Sequence, residues 1–165
     1  MLKYVDTMVT FSEVPDEITL CINISNCPCK CEGCHSSYLA EDIGKPLNWG
    51  NLNTLIHINT GITCVSFMGG DSNPREVSDL AYHVQKMGLL TCWYSGRQEL
   101  SRDIDLKNFN FIKLGPYIEE KGPLTSPTTN QKFYEVVMTR EIDEHDDPVY
   151  ALDDITYKFW KNDNE

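Results

Sequence analysis

The sequence predicts an α/β fold in which most strands run parallel. Two observations point there. Short runs rich in β-branched and aromatic residues recur along the chain, and three of them are followed within two residues by glycine. An amphipathic helix lies between two of these runs, and a strand–helix–strand order calls for a right-handed crossover between parallel strands. The 165 residues suit one domain, taken as residues 1–165. A chain of that length buries roughly 70% of its unfolded surface, enough to fold without staples.

Residues 18–24 form the first strand and open onto a cysteine-rich run. Residues 63–68 form the second, followed by Gly69-Gly70-Asp71. Residues 89–94 form the third, followed by Ser95-Gly96, and residues 109–114 the fourth, followed by Gly115-Pro116. Residues 132–138 form the fifth. The clearest helix starts at Asn73, a good N-cap, with Pro74 at N1 and Glu76 at N3 in a capping-box pattern. Val77, Leu80, Ala81, Val84 and Met87 make its apolar stripe, and Gly88 stops it. Residues 52–58 read as a second helix and residues 153–160 as a third.

Composition narrows the function. The formal charge is −11, and no Lys/Arg cluster supplies the basic face that nucleic-acid binding needs. No apolar run approaches the ~20 residues of a membrane span. The opening residues lack the charged and apolar regions of a signal peptide. A cytoplasmic protein with no nucleic-acid and no membrane partner is expected.

Seven cysteines are present, and four of them fall within residues 27–34. An odd count without a secretion signal argues against a disulfide framework and for a metal or cluster site in a reducing compartment. Cys21, Cys64 and Cys92 lie in apolar runs and read as buried, inert thiols. Cys27, Cys31 and Cys34 are spaced C-x3-C-x2-C. Three thiolates on one loop hold three irons of a 4Fe–4S cluster, which needs four ligands when cysteines alone close it. The remaining iron is then open to a substrate or cofactor. Cys29 is spare to this pattern, or is a fourth cluster ligand when no cofactor is bound, or else joins the other three in a four-thiolate zinc site. Because parallel strands carry their chemistry at their C-terminal ends, the cysteine loop, Gly69-Gly70-Asp71 and Ser95-Gly96 are expected on one rim. His57 and His83 read as helix residues and His145 as part of a solvated acidic loop.

Cys27-x3-Cys31-x2-Cys34, followed by a strand ending in Gly69-Gly70-Asp71, resembles the radical S-adenosylmethionine superfamily. The resemblance implies a partial, open (β/α) barrel of about five to six mostly parallel strands. It also implies a 4Fe–4S cluster held by Cys27, Cys31 and Cys34, whose open iron chelates S-adenosylmethionine. Electron transfer then releases a 5′-deoxyadenosyl radical. By the same resemblance Gly69 and Gly70 line the methionine half, Asp71 accepts from its ammonium, and Ser95 bonds the ribose or carboxylate. Gly33, Cys34 and His35 lie where relatives contact adenine. Relatives often carry an aromatic residue in place of Gly33, so here the contact falls to backbone or to His35.

The segment 114–136, with Thr128-Thr-Asn-Gln131 as its most specific part, resembles the activating enzymes of anaerobic ribonucleotide reductase. The resemblance implies an oxidoreductase that forms a glycyl radical on the glycyl-radical domain of that reductase. Flavodoxin or ferredoxin is the implied electron donor. Two alternatives stay open: a small-molecule radical enzyme of the 7-deazaguanine-forming type, and a non-catalytic zinc-binding interaction module.

Overall fold

The computed structural model describes residues 1–160, so residues 161–165 of the expected domain lie outside the described residues. One sheet organises the chain. Its strands are β1 (Lys3–Thr10), β2 (Thr19–Ile24), β3 (Lys45–Pro46), β4 (Cys64–Met68), β5 (Leu90–Tyr94), β6 (Phe111–Leu114), β7 (Lys132–Ile142) and β8 (Pro148–Asp154). They lie in the order β3-β1-β2-β4-β5-β6-β7-β8. The α-helices among the described residues are α1 (Trp49–Ile58) and α2 (Pro74–Lys86). None is long and apolar enough to cross a membrane.

The expected partial (β/α) barrel of mostly parallel strands is overturned. Only β2–β4, β4–β5 and β5–β6 pair in parallel. The pairs β1–β2, β1–β3, β6–β7 and β7–β8 are antiparallel. The physical reason is in the connections. A parallel crossover takes a dozen or more residues and usually a helix, and helices form only ahead of β4 and β5. The β5–β6 connection holds a single short 3₁₀ turn, Leu106–Asn108. The β7–β8 connection is a tight turn, closed where Asp143 N–H donates to the Asp147 carbonyl at 2.9 Å. Strands joined as closely as β7 and β8 must run antiparallel, whereas β5 and β6 stay parallel across the longer 95–110 connection, which carries no α-helix. The helix expected over 153–160 is likewise replaced, by the end of β8 and one 3₁₀ turn at Thr156–Phe159.

Helix α2 forms as its sequence dictates, with two changes of detail. Asn73 Oδ1 accepts from the Glu76 N–H at 3.3 Å, and Gly88 takes a left-handed φ of +82° beyond the helix end. Glu76, however, does not reach back to the Asn73 backbone as in a capping box. Its carboxylate accepts from the Asn73 side-chain amide at 3.0 Å and from the Leu2 N–H at 3.1 Å, tying the N-terminal residues to the helix start. Val77, Leu80, Ala81 and Val84 are buried, whereas Met87 lies off the stripe and is exposed. Burying Val77, Leu80 and Val84 stabilises the helix–sheet contact by about 1.5–3 kcal/mol each.

Side chains alternate across a strand, and the two faces differ. Leu20, Ile22, Ile24, Val65, Phe67, Trp93, Ile112 and Leu114 join α1 and α2 in the main core. Cys64 and Cys92 belong to the opposite face, covered by Val14, Leu124, Phe133 and Ile155 in a second core. The alternation places Cys21, Ser66 and Lys113 on this second face as well.

Candidate functional site

The parallel strands β2, β4, β5 and β6 all end on one rim, and the loops that follow them enclose a cavity of about 450 Å³ on the side away from the helices. The loop after β2 is fastened at its base. Asn26 N–H donates to the Glu41 carbonyl at 2.9 Å and Cys27 N–H to the Leu39 carbonyl at 2.8 Å. Asn26 and Lys30 both adopt left-handed backbone, with φ of +58° and +45°, which bends the run between them. Cys27, Cys29, Cys31 and Cys34 are all free thiols, half-buried, and all line the cavity. His35 lines it too, its ring 5.9 Å from that of Tyr117.

Asp71 follows β4 and is 8% exposed. The Ser95 hydroxyl donates to its Oδ1 at 2.5 Å, and the Gly96 N–H donates to its Oδ2 at 3.0 Å. Ser95 Oγ in turn accepts from the Arg97 N–H at 3.0 Å. The expected strand-end pair is therefore brought together, but with Ser95 holding the Asp71 carboxylate in place. Gly69 lines the cavity and accepts from the Trp93 indole at 2.8 Å through its carbonyl.

Gly33 and Gly70 are not part of the cavity wall. Gly70 has φ +92°, and a Cβ built there would stand 2.5 Å from Val77 Cγ2, so this glycine serves the close approach of β4 to α2. A Cβ on Gly33 would meet Glu119 Oε2 at 3.2 Å and Tyr117, so this glycine faces the 115–121 loop.

Lys113 is the site residue that the sequence reading missed. It is 8% exposed, and its Nζ donates to the Ser95 carbonyl at 3.1 Å and the Gly115 carbonyl at 2.7 Å. Burial pushes its ammonium down to about 8, against the pull of Asp71, Cys31, Cys29 and Cys34. The signal was a lone charge inside the strand Phe111–Leu114, between apolar neighbours. Gln131 also lines the cavity, and the segment before it closes the site's outer loop. Asn130 donates to the Pro116 carbonyl at 2.9 Å and Thr128 to the Lys121 carbonyl at 2.8 Å.

The donor set fits an iron–sulfur cluster. Thiolates serve both zinc and iron–sulfur sites, and a four-iron cluster takes one thiolate per iron. The buried Lys113 ammonium offsets part of the negative charge that thiolates bring. Cys21, Cys64 and Cys92 are a separate group. Burial pushes Cys21 and Cys64 up to about 12 and Cys92 well above its ordinary value, which makes them inert. Comparison with known proteins found no matching family model, no similar curated protein and no similar solved structure.

Proposed function

We propose that this chain is a glycyl-radical-generating activase of anaerobic ribonucleotide reductase, using a 4Fe–4S cluster and S-adenosylmethionine. The observation that carries the reading is the convergence of Cys27, Cys31 and Cys34 with the buried Asp71 on one cavity. The mixed sheet gives no support from fold, so the reading rests on this site and on the resemblance of segment 114–136.

Each residue has a physical task. Cys27, Cys31 and Cys34 would hold the cluster through three thiolates. Asp71, fixed by Ser95 and Gly96, accepts from the cofactor's ammonium through a charge-assisted bond. Lys113 keeps a positive charge against the thiolate loop. Gly69 leaves room at the β4 end, and His35 with Tyr117 provides the aromatic wall beside Cys34. A cluster held there would supply an electron for reductive cleavage of S-adenosylmethionine, the chemistry that would let a hydrogen atom be taken from a glycine Cα. No general base is needed, because hydrogen leaves as an atom. A low-potential donor of the flavodoxin or ferredoxin type supplies the electrons.

The test is anaerobic. Protein reconstituted with iron and sulfide is mixed with reductant, S-adenosylmethionine and the reductase, and electron paramagnetic resonance is recorded. A glycyl radical doublet with stoichiometric 5′-deoxyadenosine is expected. A reducible cluster that yields neither ends the assignment. Deoxyadenosine without the doublet redirects it to a small-molecule radical enzyme, and an iron-free, zinc-loaded anaerobic preparation to the zinc-binding module.

A further inference from the structure

Cys29 sits beside Cys27 and, unlike the three cysteines of the pattern, reaches the strand ends with its side chain. Its Sγ donates to Asp71 Oδ2 at 3.7 Å. It also lies on the bare backbone of Gly96, where a built Cβ would come within 2.8 Å of the sulfur. Among the described residues, Cys27, Cys31 and Cys34 make no side-chain hydrogen bond to a strand-end group. The cysteine loop is thus moored to the β4 and β5 ends by the one thiol outside the C-x3-C-x2-C pattern.

Asp71 is the second observation. Its carboxylate is almost fully buried and lines the cavity. Oδ1 takes a strong O–H donor from Ser95, while Oδ2 takes the Gly96 N–H and the Cys29 S–H. A carboxylate offers about four lone-pair positions, and a thiol is a weak donor. A buried carboxylate whose cavity-side partner is that weak is poised to exchange it. An ammonium is the donor with most to gain, since charge-assisted bonds are about twice as strong as neutral ones.

We propose that Cys29 is a latch on Asp71. Its thiol occupies, on Oδ2, the place taken by the ammonium of S-adenosylmethionine, and binding of the cofactor releases it. Cys29 is then a competitor for the cofactor subsite and not a cluster ligand. This rests on reading Asp71 as the ammonium acceptor.

The test compares wild type, Cys29→Ala and Gly96→Ala in the full chain, reconstituted anaerobically. Affinity for S-adenosylmethionine is read by equilibrium dialysis, and iron and sulfide are counted per chain. Cys29→Ala should bind about three- to tenfold tighter, the worth of one displaced hydrogen bond, at unchanged iron content. Gly96→Ala approaches the latch from the other side: its methyl pushes the sulfur off its notch, and tighter binding is expected again. Unchanged or weaker binding by Cys29→Ala at full iron content overturns the latch while leaving the site's function standing. Lost iron in Cys29→Ala also overturns it and makes Cys29 a ligand. If neither wild type nor variant binds S-adenosylmethionine, the reading of the site falls and the latch with it.

Discussion

Lys113 carries an ammonium in a strand whose neighbours on both sides are paired in the same sheet. Two backbone carbonyls compensate for the lost water, but not fully, because burial still lowers its proton affinity to about 8. The sign of the pH effect follows. Between about pH 8 and 10.5 the unfolded chain binds a proton that the folded chain has released, so stability rises with pH across that window. Below it, the full cost of burying the charge is present. Urea unfolding of reduced, cluster-free protein should show wild type gaining about 1–2 kcal/mol relative to Lys113→Met from pH 7 to 9.5. A flat difference would mean that the ammonium is not desolvated.

At the scale of elements, the contact between the β4 end and α2 is a tight joint. Gly70→Ala combines a left-handed backbone with a Cβ 2.5 Å from Val77 Cγ2. It should cost about 2–5 kcal/mol, the sum of backbone strain and overpacking. Gly88→Ala is the matched control. Its φ is +82° but nothing lies within 4 Å of the built Cβ, so only the strain of about 1–2 kcal/mol remains. Equal losses in chemical denaturation would remove the clash from this account. These elements were legible in the sequence for plain reasons. Helix α2 has a cap, a stripe and a glycine stop, and β2, β4, β5 and β6 are short apolar runs ending in turns. Strands β1, β3 and β8 were not legible. Much of β1 and β8 is half-exposed and both carry aspartates, while β3 is two residues long, so none shows a buried apolar run. Expecting five to six strands where the sheet has eight also hid its antiparallel half. The site was legible where it depends on strand ends: Cys27, Cys31, Cys34, Asp71 and Ser95 reach one cavity. Lys113 was not, because its place depends on which strands are neighbours and in what register.

Over the whole molecule, the loops after the parallel strands carry the cysteine-lined cavity, and the antiparallel flanks carry none of its cysteines. The seven thiols accordingly fall into two depths. Cys27, Cys29, Cys31 and Cys34 are half-buried on the rim, and Cys21, Cys64 and Cys92 are buried on the sheet. A coloured disulfide reagent added to reduced, cluster-free native protein should therefore consume four thiols quickly, with Cys29 the last of them, and the other three only in denaturant. The protein thus contains its own gauge of sample condition. Three slow thiols without the fast four mark a loop that is loaded or oxidised on an intact fold, and seven fast ones mark a chain that has come apart. One absorbance trace separates a preparation whose rim is occupied or spoiled from one that has lost its structure.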